Sequence, residues 1–116
     1  MLRTNVRSFL IVLAAVAATD LKSGITAAAA GPKPTTHTVV IEAVRFDPQE
    51  LTVMAGDTIV WINRDPFPHT VTAVDKSFDS HEIAAGRSWK YTVRKAGVLA
   101  YACSLHPTML GTLRVQ

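Results

Sequence analysis

The sequence predicts an all-β domain, a Greek-key β-sandwich of seven to eight short strands, on three observations. Short runs rich in Val, Ile, Thr, Trp and Tyr recur between Thr38 and Val115. Turn-forming clusters such as Asp47-Pro48, Ala55-Gly56-Asp57 and Ala85-Gly86-Arg87 punctuate them at intervals of roughly eight to twelve residues. The same stretch shows neither the apolar period of an amphipathic helix nor an internal repeat.

Taken in order, Gly31 to Thr36 is a Pro/Thr-rich linker, and Thr38 to Val44 is a β-branched first strand. Phe46-Asp47-Pro48-Gln49 reads as a turn. In Glu50 to Met54, Leu51 and Val53 alternate with polar neighbours. Gly56 supplies positive φ for a tight turn. Thr58 to Asn63 is the most β-prone run, burying Ile59 or Val60 together with Trp61. Arg64 to Pro68 must be irregular, because Pro66 and Pro68 remove two backbone donors. It delivers the chain to His69. His69 to Val74 and Trp89 to Val93 alternate as strands do. Between them Phe78 is expected to pack inward. Val98 to Cys103 and Thr112 to Val115 are the last two strands.

The first third differs in composition. Arg3 and Arg7 precede an apolar run from Phe9 to Ala18, and Ala27 to Ala30 precede Gly31-Pro32. A basic start, a short apolar centre and a small-residue end predict a secretory signal peptide over residues 1–30, a linker over 31–36 and a domain over 37–116. The apolar run falls short of the roughly 20 residues of a spanning helix, so no stable membrane insertion is expected after cleavage. The chain carries a formal +3, but Arg3, Arg7, Lys22 and Asp20 lie in the leader; nine basic and eight acidic residues remain, net +1. With no Lys/Arg cluster, nucleic acid is excluded as a partner.

The chemistry concentrates near the C-terminus. Cys103, His106 and Met109 stand at equal three-residue intervals between two strand-like runs. A single cysteine cannot form a disulfide within the chain, so Cys103 is a buried thiol, an intermolecular bridge or a metal ligand. A thiolate, an imidazole and a thioether form a soft donor set that suits copper with one cysteine and a weak axial methionine. His69 would complete it, from 34 positions upstream of Cys103. The plain alternatives are a core methionine at Met109 and an imidazole satisfied by a carbonyl at His69. Zinc fits Cys-His-His-Met poorly. His37 and His81 read as exposed, solvated side chains.

Several stretches together resemble the cupredoxins, the small blue copper proteins. They are Phe46-x-Pro48, Val53-x-x-Gly56-Asp57-Thr58, Val60-Trp61-x-Asn63, Pro68-His69-Thr70-Val71, Phe78-Asp79-Ser80, Gly86-x-Ser88-Trp89 and Tyr101-x-Cys103-x-x-His106-x-x-Met109-x-Gly111. The short Cys-x-x-His-x-x-Met loop is similar to that of amicyanins, whereas plastocyanin-like loops insert further residues before the methionine. The resemblance implies a type 1 copper site with His69, Cys103 and His106 as equatorial ligands and Met109 as the axial one. It also implies a periplasmic, monomeric electron carrier cycling Cu(II)/Cu(I), with redox protein partners such as an amine dehydrogenase donor and a c-type cytochrome acceptor.

Thr70 stands where many relatives carry asparagine. A hydrogen bond between Thr70 and Ser104 is expected to pin the two ligand loops, and Asn63 to tie the strand end to the loop of His69. The alternative function is copper delivery or storage, which favours exposed, exchangeable methionines; Met54 and Met109 are the only ones beyond the leader. An enzyme is not expected, since the chain lacks the ligands for a second metal centre and no Ser/His/Asp or paired-carboxylate arrangement stands out in the sequence.

Overall fold

The structure, a computed structural model, describes residues 33–116; the expected signal peptide lies outside the described residues. Eight strands form two four-stranded sheets. The first sheet holds β1 (Thr36–Glu42), β2 (Arg45–Asp47), β4 (Thr58–Asn63) and β6 (Ser88–Thr92), in the order β2-β1-β4-β6. The second holds β3 (Glu50–Val53), β5 (Thr72–Ala73), β7 (Gly97–Cys103) and β8 (His106–Val115), in the order β3-β8-β7-β5. Each sheet contains one parallel pair, β1 with β4 and β3 with β8. The chain changes sheet at most of its turns, so residues distant in sequence meet between the layers. Among the described residues no helix is long and apolar enough to cross a membrane.

Side-chain alternation builds the core. Ile59, Trp61 and Asn63 point inward from β4 at 0% exposure, while Thr58, Val60 and Ile62 are half-buried. Val39 and Ile41 do the same on β1, and Tyr101 and Cys103 on β7. The Trp61 indole N–H donates across the layers to the Tyr101 hydroxyl at 3.2 Å, and the two rings meet edge to face. Burial pushes the Tyr101 phenol up to about 12, the Trp61 hydrogen bond only partly opposing it. Gly111, directly opposite Tyr101, is the residue that lets this ring lie flat, since an added Cβ would collide with it.

Several boundaries differ from the sequence reading. The first strand begins at Thr36, the last residue of the expected linker, and ends at Glu42; Ala43 and Val44 turn with φ of 54° and 57°. Arg45 to Asp47 form a strand rather than a turn, because the hairpin closes two residues earlier. Of His69 to Val74 only Thr72–Ala73 belong to a sheet. Residues 69–72 pair with residues 79–83, through bridges at Thr72/Asp79 and His69/Ile83, Thr72 doing so in addition to its place in β5. The last strand starts at His106, six residues before the expected Thr112.

Candidate metal centre

His69 lies on the loop between β4 and β5, held from three sides. Its backbone exchanges hydrogen bonds with Ile83, at 3.2 and 2.7 Å. Buried Asn63 donates from Nδ2 to the carbonyls of Phe67 and Ile83, both at 2.9 Å, and accepts from the Asp65 amide. The strand end is thus tied to this loop as the sequence suggested. Asp65 Oδ2 then meets His69 Nε2 at 2.7 Å. A carboxylate only accepts, so Nε2 carries the proton and the Nδ1 lone pair is free.

Asp65 was not legible as a site residue. It is 6% exposed and also accepts the amides of Ala43 and Val44, at 2.7 and 2.9 Å. Burial alone would push its carboxyl up. The Val44 amide, the His69 imidazole and the Ala43 amide outweigh that and hold it below the usual carboxylate range. The signal lay in Asp65-Pro66-Phe67-Pro68-His69, where two fixed φ angles fold the chain back so that residues four apart meet.

Cys103 ends β7 fully buried, and His106 opens β8 half-buried. The ladder between these strands slips after Ala102/Leu110, so that Cys103 next faces His106 and residues 107–109 have no cross-strand partner. This irregularity packs the Cys-x-x-His turn against the end of the sandwich. Cys103 Sγ lies 3.7 Å from both His69 Nδ1 and His106 Nδ1, and the three donor atoms fall within 4.8 Å of one another. A trigonal ion with bond lengths near those of zinc, ~2.3 Å to sulfur and ~2.0 Å to nitrogen, spaces sulfur and nitrogen about 3.7 Å apart. Both sulfur–nitrogen spacings therefore suit a soft or borderline metal ion held by the three residues. Met109, three residues beyond His106, is buried at 3% exposure in the core.

The Thr70 amide donates to Cys103 Sγ at 3.3 Å. The expected link between the ligand loops is present, with Ser104 N–H donating to Thr70 Oγ1 at 2.8 Å and the two hydroxyls 3.0 Å apart. Apolar side chains flank His106, with Leu105 and Pro107 exposed on either side of it in the chain. The Phe67 ring lies 5.8 Å from the His106 ring and 5.1 Å from that of His69, and Phe67, Leu105 and Leu110 are 39%, 46% and 52% exposed. His81 is exposed as expected, but His37 is not simply solvated: its Nε2 pairs with Asp57 Oδ2 at 2.8 Å.

A preformed pair of imidazoles and a buried thiolate, at one end of an eight-stranded sandwich, defines a mononuclear thiolate-metal protein of the cupredoxin class. Residues 34–116 match the family described as copper binding proteins, plastocyanin/azurin family. Amicyanin of Paracoccus denitrificans is 32% identical over 83 residues, a match covering 67% of this chain and 63% of that relative, so less than two thirds of its length is spanned. Plastocyanin of Scenedesmus fuscus is 31% identical, with 64% of this chain and 89% of the relative covered. A solved structure of an amicyanin variant in its Cu(I) form superimposes with a TM-score of 0.66 at 29% identity, covering 70% of this chain and 82% of that one. The chain belongs to the plastocyanin/azurin family of copper binding proteins, and copper is its metal.

Proposed function

We propose that this protein is an exported, periplasmic carrier of single electrons, with His69, Cys103 and His106 as equatorial copper ligands and Met109 as the weak axial ligand. The observation that carries the reading is the burial of the donor set: His69 and Cys103 are 0% exposed, and only His106 reaches the surface, within an apolar rim. Bound copper would supply a centre alternating between Cu(II) and Cu(I). The chain's own residues hold the donors still. Asp65 fixes the His69 ring, the Thr70 amide supports the sulfur, and the β7/β8 turn positions His106. Little rearrangement between oxidation states favours rapid transfer.

Phe67, Leu105 and Leu110 form the docking face for a redox partner, and the His106 ring is the route through it. An amine dehydrogenase as donor and a c-type cytochrome as acceptor match the amicyanin likeness. Delivery or storage is disfavoured, because an exchanging ion would have to pass two fully buried ligands. Cyclic voltammetry of the copper-loaded protein tests the reading. A reversible one-electron wave that survives a Cu(I) chelator supports it, and rapid loss of copper to the chelator on reduction would favour delivery.

A further inference from the structure

A row of hydroxyl groups runs from the ligand loops to the surface. Ser104 Oγ lies 3.0 Å from Thr70 Oγ1, which lies 2.9 Å from Thr72 Oγ1, which donates to Asp79 Oδ1 at 3.2 Å. Backbone pairing sets this register. Thr72 and Asp79 face one another in an antiparallel bridge, flanked by Ala73 N–H to the Phe78 carbonyl and Ser80 N–H to the Val71 carbonyl, both 2.9 Å. The Asp79 carboxylate is further oriented by the His81 amide at 2.8 Å.

The carboxylate determines which way every proton in the row points. It can only accept, so Thr72 spends its single proton on Asp79 and must accept from Thr70. Thr70 spends its own proton on Thr72, and its two lone pairs take the Ser104 amide and the Ser104 hydroxyl. Thr70 is then saturated, and the Ser104 hydroxyl proton is held on Thr70. The Thr70 amide, at 3.3 Å, is left as the donor that the structure shows on the sulfur.

We infer that Asp79 is a remote positioning residue for the copper site: acting through the Thr72 and Thr70 hydroxyls, it fixes hydrogen bonding beside the Cys103 thiolate and thereby lowers the reduction potential. The inference rests on the electron-carrier reading above. With Asp79 in place, the negative ends of the hydroxyl dipoles face the centre, which favours the more positively charged oxidised state. Hydrogen bonding around the cysteine sulfur is a known control on such potentials. Without the carboxylate the row can reverse and turn its positive dipole ends toward the two ligand loops.

The test compares copper-loaded wild type, Asp79→Ala, Thr72→Val and the double variant, with Thr72→Ser as the conservative control. Alanine is used because an asparagine oxygen would still accept from Thr72 and His81. Potentials are measured at about 1 M salt, where the screening length is roughly 3 Å and the direct field of a surface charge is suppressed. The expected result is a higher potential for Asp79→Ala and for Thr72→Val, almost no added shift in the double variant, and a wild-type potential for Thr72→Ser. Equal Asp79→Ala shifts with and without the Thr72 hydroxyl, or no shift in either, would overturn the relay. An intense blue band in wild type holds the carrier reading separately. If that band is missing, the metal-free protein still decides the relay. The Ser104 amide proton resonance should move on Asp79→Ala when Thr72 is present and stay fixed in the Thr72→Val background; the opposite pattern, or no movement in either, overturns it.

Discussion

Replacing Asp65 tests whether one carboxylate organises the His69 loop. In Asp65→Ala three donors lose their acceptor: His69 Nε2, Ala43 N and Val44 N. The two turn amides can recover water, but the imidazole is 0% exposed and cannot. A stranded buried donor costs ~1–3 kcal/mol and hydrogen bonds to charged groups more than neutral ones, so the expected loss is about 3 kcal/mol. For a domain of this size each kcal/mol moves Tm by roughly 4–8 °C, so Tm should fall by roughly 12–24 °C. Asp65→Asn should cost only about 1 kcal/mol, since its amide oxygen can still serve Val44 and His69. Thermal unfolding of the metal-free proteins by circular dichroism measures both, free of the stabilisation that bound copper adds. Copper affinity should drop ~10–100-fold in the alanine variant, as when other partners of ligating histidines are removed. If both variants melt within about 2 °C of wild type, Asp65 does not hold the loop and the reasoning fails.

Two further expectations concern stability away from the metal. Gly111→Ala drives a methyl into the Tyr101 ring, which is 1% exposed and bonded to Trp61, so urea unfolding should show a loss of about 2–3 kcal/mol. Asp57 accepts the Thr35 amide, the His37 imidazole and the Met54 amide, which lower its carboxyl from 3.8 to about 2. The folded chain therefore binds fewer protons than the unfolded one between those values. This contribution is complete above about pH 4 and is lost as pH falls toward 2. Acid titration of Asp57→Asn should show a shallower decline through that window, and an unchanged slope would count against the assignment.

How far the sequence could be read depended on whether a residue's role was local. The alternation of Ile59, Trp61 and Asn63 places one face of β4 inward whatever the rest of the chain does, and the structure follows it. The Cys-x-x-His spacing was legible for the same reason, since a short turn between paired strands brings its ends together. The strand expected from His69 to Val74 was largely absent because its backbone groups found other partners. Val71 N–H goes to the Ser80 hydroxyl and His69 pairs with Ile83, neither of which the alternation of residues 69–74 reveals.

The early start of β8 was hidden by Pro107, whose missing N–H argues against a strand until residues 107–109 are seen to lack cross-strand partners. Asp65 and His37 were missed because their partners are set by tertiary packing. A carboxylate that joins a hairpin turn to an imidazole leaves no periodic trace. Asp65 and Asp57, the partner of His37, are buried carboxylates that had to be paired, and among the described residues no buried side-chain nitrogen or oxygen lacks a partner.

The central claim, a copper–thiolate centre at Cys103, is tested most directly by the visible absorption spectrum of the Cu(II)-loaded protein beside Cys103→Ser. The preformed arrangement of His69, Cys103 and His106 predicts an intense blue band that bleaches on one-electron reduction, returns on oxidation and is missing from the serine variant. A pale wild-type protein, or a band that persists without the thiol, would contradict it.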